Sequence, residues 1–268
     1  MDLSIRRFGA PARGVVGVHQ AAAGARRARV LLCRPLGQEA TRTATIFRVV
    51  SDRLSREGCD VLRFDHHGTG DSPGEEADQH LDGWVDDTLA AHAELAPEPG
   101  MPAFWFGMGL GATLALKAAL RTRHPPQHLL LWEPVLDGRA YVQALLASHR
   151  AELAREFGLP WGRLLRLGKV SEPAVPGDVL GFHMGGRLAQ DLNGLKLSAA
   201  PALRRGMRVT CAIHADQRPL LADCPNDDPH FMQHIVEHRI DWHSSQAQGT
   251  AIVPPDLLNL LLAALPRR

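Results

Sequence analysis

The chain has 268 residues, 45% of them hydrophobic and 22% charged, with a formal net charge of +1. A chain of this size buries about three-quarters of its unfolded surface as one domain, so it needs no staple of metal or disulfide. The near-neutral balance gives no footprint for nucleic acid or an anionic membrane, and no apolar run approaches the ~18 residues of a membrane span.

Cys33, Cys59, Cys211 and Cys224 show no C-x-x-C spacing. Three of them lie in or beside apolar strand-like runs, as reduced core thiols do. Arg6 and Arg7 are followed by no apolar stretch, so no signal peptide is readable and the expected location is the cytoplasm. Residues 14–18 (GVVGV) form a first strand, residues 21–27 a small basic hairpin loop, and residues 29–33 (RVLLC) a strand covered on both faces. Residues 39–57 carry apolar side chains at helical spacing, and Gly58 stops that helix. A strand at 60–64 (DVLRF) leads into the loop DHHGTGDSPG, and residues 81–95 form the next helix. Residues 103–106 form a short buried strand, a glycine-packed turn (GMGLG) follows, and then an apolar helix. Residues 128–132 (HLLLW) make another buried strand. Strands thus alternate with helices, which implies a parallel sheet with helices on both faces.

Beyond Trp132 the rhythm changes. Residues 137–205 hold helical pieces, 139–157 and 187–191, between Pro/Gly-rich loops and show no clear strand. Sheet rhythm returns at 207–214. A helical stretch around 231–236, a final strand at 237–242, a loop at 243–255 and a last helix at 256–265 complete the chain.

The turn GMGLG has the frame of the G-x-S-x-G nucleophile elbow, in which the central residue sits exposed on a strained turn and attacks the substrate. The central residue here is Gly109, so the frame is present without a nucleophile. Three glycines in five residues also signal a sharp turn that another backbone approaches closely.

These residues resemble an α/β-hydrolase-fold protein. More narrowly, LLCRPLGQEATR (31–42), LRFDHHGTGDSPG (62–74), GLGATLA (109–115), LWEPVLDGRAYVQALL (131–146) and VLGFHM (179–184) resemble the exosortase-associated α/β-hydrolase-like proteins of bacterial exopolysaccharide and protein-sorting loci. Members of that subgroup often lack serine at the elbow. The resemblance implies a mostly parallel sheet of about eight strands, a core domain of residues 1–136 and 206–268, and a helical lid at 137–205. The triad order of this fold places the acid at Asp216 and the base at His243, with Glu133 a rival acid. Oxyanion N–H groups would come from Leu110 and Leu36.

Plainer readings compete at each position. DHHGTGDS reads as a hydrogen-bonded turn built by Asp65, Gly68, Gly70 and Ser72, from which His66 and His67 still line the pocket. Asp216 also suits a loop turn, and His243 a satisfied histidine among 14 in the chain. His230 and His234 sit four apart with Asp227, Asp228 and His238 nearby, but no third ligand stands at motif spacing, so no metal or cofactor is expected. Cys33 and Ser72 are poor replacement nucleophiles, one an inert core thiol, the other committed to its turn.

The missing nucleophile at Gly109 therefore predicts a pseudoenzyme, a non-hydrolytic binding or assembly protein, and the resemblance implies that it serves a biosynthetic or sorting locus. Its partners would be a small acyl or ester-like ligand and a protein partner or second copy. The alternative is an enzyme, an esterase, thioesterase, acyl transferase or cofactor-free base catalyst, that uses an Asp216–His243 dyad without a serine.

Overall fold

Every residue of the strand Ala28–Cys33 (β3) is buried, and its side chains divide between two layers. Val30 and Leu32 pack with Ile46, Phe47, Val50 and Leu54 of the helix Gly37–Arg56 (α1). Leu31 and Cys33 pack with the helices Leu81–Glu94 (α2) and Leu110–Arg121 (α3) on the opposite face. A strand covered on both sides has no polar face to show water, which is why it reads as a continuous apolar run. Each fully buried Leu, Ile, Val or Phe contributes about 1.5–3 kcal/mol.

The computed structural model describes residues 2–95, 100–171, 177–237, 240, 242 and 253–265. Among them, eight strands form one sheet in the order β1-β2-β4-β3-β5-β6-β9-β10. The further members are Leu3–Ala10 (β1), Arg13–Gln20 (β2), Cys59–Asp65 (β4), Ala103–Met108 (β5), His128–Trp132 (β6), Arg208–Ile213 (β9) and Phe231–Ile235 (β10). β1 pairs antiparallel with β2, and β2 with β4; every later pairing is parallel. A last helix, Pro255–Ala264 (α8), lies with α1 on one face. The expected mostly parallel sheet of about eight strands with helices on both faces is what the chain forms.

Three local expectations are corrected. Residues 21–27 do not close a hairpin, because β2 pairs with β1 and β4 while β3 lies beyond β4. The stretch at 231–236 is strand rather than helix: Phe231–Ile235 runs parallel to β9 with Phe231 opposite Val209. Among the described residues the last strand of the sheet is β10; of the strand expected at 237–242, Glu237 and Ile240 carry no strand, Trp242 lies in a turn, and residues 238, 239 and 241 lie outside the described residues. With His234 in β10, its four-residue spacing from His230 no longer places the two on a helix face. The N-terminal strand β1, not foreseen, is the sheet edge, and its Ile5 is 72% exposed.

Between β6 and β9 the chain builds Gly138–Glu156 (α4), Trp161–Arg166 (α5), the two-residue strands Asp178–Val179 (β7) and Phe182–His183 (β8), Gly186–Asn193 (α6) and Ala200–Arg204 (α7). β7 and β8 pair as a small hairpin. Among the described residues no helix is long and apolar enough to cross a membrane.

Two positions test how tightly the sheet and its helices are joined. At Gly111, in the first turn of α3, a Cβ would collide with the carbonyl oxygens of Cys33 and Arg34. Gly111→Ala should cost about 3 kcal/mol, read as a lower urea midpoint. His128 is buried between β6 and β9, with Nε2 2.8 Å from Thr210 Oγ1. Burial, and next the Arg208 charge, push its pKa from 6.5 down to about 4. The unfolded chain takes up this proton before the native one, so stability falls as pH drops from near 6.5 and the loss is complete near 4. The loss amounts to about 3 kcal/mol. Denaturation of wild type and His128→Phe across that window should show the decline in wild type and a shallower slope in the variant.

Candidate functional site

The turn after β5 sets the geometry. Gly109 has φ 55° and ψ −128°, a left-handed conformation that disfavours side chains. Its N–H donates to Trp132 O at the end of β6, which ties the turn to the C-terminal end of the next strand. Leu110 opens α3, so its N–H lacks an intrahelical acceptor by position. Leu36 is the N-cap of α1, and both Leu36 and Leu110 line a cavity of 410 Å³. The structure thus brings together the two residues expected to supply oxyanion N–H groups at the sheet end where open α/β sheets hold ligands.

The space above Gly109 is occupied by a residue the sequence reading missed. A Cβ at position 109 would lie 2.7 Å from Glu39 Oε2 and 3.4 Å from Pro35 Cβ. Glu39 is buried in the first turn of α1, and its carbonyl accepts from Thr43 Oγ1 at 2.7 Å. Its carboxylate stands beside the N-terminus of α3, where the helix dipole favours an anion. The neighbouring Tyr141 lines the cavity; burial first, and the Glu39 charge second, push its phenol well above its ordinary range. The available signal for Glu39 was an acid in the first turn of α1, which reads equally well as an ordinary partner of the helix dipole.

Other expected residues fall in several places. His66 lines the cavity. It is 2% exposed and lies edge-on to Phe64 at 4.9 Å. His67 is also buried, but its Nδ1 is 3.2 Å from Gly14 O and its N–H donates to Asp87. The DHHGTGDS run makes the turn read from its residues. Ser72 Oγ donates to Asp65 O and accepts from Val16 N, and Asp65 takes the Arg34 guanidinium at 2.6 Å and the Asp71 N–H at 3.1 Å. Gly68 and Gly70 both hold positive φ there.

Glu133, at the end of β6, has φ 47° and donates its N–H to Ala212 O at 2.7 Å. Its Oε1 accepts from Trp132 Nε1 at 3.0 Å and lies 3.4 Å from His214 Nε2. His214 is buried, with Nδ1 3.0 Å from Val236 O, a second group that no sequence signal marked. Asp216 is exposed in the 3-10 turn Ala215–Leu221 after β9. His243 lies outside the described residues. Cys33 is fully buried and burial pushes its thiol far up; Cys59 is pushed up to about 12 by the same cause.

The chain's similarity to known proteins bears on this geometry. Residues 24–204, about two thirds of the chain, match the model of the serine aminopeptidase S33 family. No curated protein matches the sequence. Among solved structures, a carboxylesterase of Nitrososphaera gargenis aligns over 96% of this chain and 97% of its own at 13% identity, TM-score 0.62. A soluble variant of the monoglyceride lipase of Saccharomyces cerevisiae, in complex with a substrate analogue, aligns over 100% and 97% at 17% identity, TM-score 0.58. The mouse alpha/beta hydrolase domain-containing protein 10 aligns over 97% and 96% at 15% identity, TM-score 0.58. At these identities the structures speak for the fold alone. The family match covers the strands, the turn and the cavity wall from β3 to α7, and on that ground the chain belongs to the serine aminopeptidase S33 family, with the α/β-hydrolase fold.

Proposed function

We propose that this family member binds a ligand in its cavity and does not hydrolyse it through a covalent intermediate. The carrying observation is the Glu39 carboxylate lying 2.7 Å from where a side chain at Gly109 would begin. Acyl-enzyme chemistry needs an activated nucleophile within reach of its base. Gly109 has no side chain, Cys33 is a buried thiol with a strongly raised pKa, and Ser72 spends its hydroxyl within its turn. An internal anion at the α3 N-terminus also takes the place that a developing oxyanion would use. On this reading the 137–205 segment is a lid, since Tyr141, Leu145, Phe182 and Leu188 wall the cavity. The resemblance to exosortase-associated proteins supports a role in binding or assembly at a biosynthetic or sorting locus.

One feature favours a second reading, base chemistry without a covalent intermediate. The left-handed backbone of Glu133 is strained for a residue with a side chain, and such strain gathers at working sites. Glu133 would then share with Asp216 the task of orienting a base, His214 or His243.

Hydrolysis of p-nitrophenyl acetate and butyrate separates the readings. Wild type should show no rate above background. Gly109→Ser alone should stay silent, because Glu39 crowds the new hydroxyl. Gly109→Ser combined with Glu39→Ala should gain a rate that His243→Ala removes. A wild-type rate that Glu133→Gln or His243→Ala lowers by about 100-fold would establish the second reading.

A further inference from the structure

The antiparallel end of the sheet is covered on one face only. Ile5, Val18 and Arg63 stand side by side across β1, β2 and β4, and Leu3, Gln20 and Val61 form the next row. Arg7 and Val16 begin the row on the other side. Residues paired in this way point to one face of a pleated sheet. Val61 packs in the apolar layer under α1, and Gln20 accepts from Ser51 of α1 at 2.8 Å, so the rows lie on the α1 face. Beyond Gln20 the cover stops. Leu3 is 56% and Ile5 72% exposed, Val16 and Val18 are partly exposed, and none of the four packs into either core layer. The opposite face of the same strands carries Phe8 and Val15, which do pack into the layer of α2.

The charge on the open face is one-sided. Arg7 and Arg48 are exposed and Arg63 partly so, and among the described residues none of the three makes a side-chain hydrogen bond or ion pair. Burial, and next the Arg34 charge, hold the Arg63 guanidinium below the ordinary arginine range; Asp65 opposes them and Arg48 of α1 adds to them. The nearby carboxylates are taken, Asp65 by Arg34 at 2.6 Å and Asp52 by Arg56 at 2.9 Å. Arginines on an edge strand can guard it against stray pairing, but Arg63 sits on β4, inside the sheet, where that task does not arise. A half-buried cation without a counter-charge beside an apolar surface calls for an anion carried on an apolar body. A second copy of this face would bring the same arginines and be repelled. In this fold the element that covers strands is a helix, as α1 does next door.

We propose that this open face docks an acidic amphipathic helix of a protein partner, which lies beside α1, sets its apolar side on Leu3, Ile5, Val16 and Val18, and presents carboxylates to Arg7, Arg48 and Arg63. None of these residues lines the cavity, so the proposal stands apart from the ligand reading.

The test uses the full chain and a fluorescein-labelled helical peptide of about 18 residues, whose length of ~27 Å matches that of β1. The peptide carries leucines on one side and glutamates along both flanks. By fluorescence anisotropy wild type should bind it at least about tenfold tighter than the same peptide with lysine for glutamate. Ile5→Ser and Arg48→Glu replace exposed side chains, so the fold is not at issue, and each should weaken binding about tenfold. Binding that neither variant changes, or no binding at about 100 μM, would overturn the proposal. Two further outcomes would also overturn it by naming another occupant. One is sedimentation with phosphatidylglycerol vesicles that both variants abolish while the peptide stays unbound. The other is a dimer, seen by analytical ultracentrifugation, that Ile5→Ser dissolves.

Discussion

The backbone of α3 passes so close to the end of β3 that only glycine fits at position 111, against the carbonyls of Cys33 and Arg34. That approach fixes more than a helix. It presses the start of α3 against the loop that leads into α1, and so brings Leu110 and Leu36 to one cavity wall. It also brings Glu39 over Gly109. Because protein interiors are as dense as organic crystals, a methyl group inserted at Gly111 could not be absorbed locally. The positions of the two helix starts follow from this one contact, and the chemistry open to the site follows from them.

A second constraint stands on the other side of the cavity. Asp87 gathers Arg13 from β2, the His67 N–H from the turn after β4, and the ring of His66. A carboxylate buried to this degree is tolerated because a bidentate arginine and a backbone donor compensate it. The arrangement stitches the antiparallel end of the sheet to α2 and holds His66 between Phe64 and Trp84.

Much of this was legible in the chain. Continuous apolar runs such as Ala28–Cys33 and His128–Trp132 announce strands buried on both faces, and the glycines around the β5–α3 turn announce a close backbone approach. β1 was not legible because an edge strand with exposed Leu3 and Ile5 has no buried face to produce an alternating pattern. Phe231–Ile235 mixes Met, Gln and His in five residues, so periodicity could not tell helix from strand; pairing with β9 decided it. Glu39, Asp87 and His214 carry no motif. Each acquires its meaning from a partner distant in sequence, and such contacts leave no local trace. Leu36 and Leu110 were readable as neighbours of the turn because they sit at fixed offsets from recognisable elements, and both line the cavity.

The carboxylate above Gly109 also imposes an order on change. A side chain at position 109 and a full-length glutamate at position 39 compete for one volume. Any lineage crossing between a serine at the turn and the present arrangement meets a dependence between the two sites. Going toward serine, position 39 must shorten or swing aside first; going the other way, the glutamate can settle only once the turn residue has lost its side chain. The contact is with the far end of a flexible side chain, so Glu39 can yield at modest cost, while the positive φ of Gly109 is the firmer constraint on what the turn accepts.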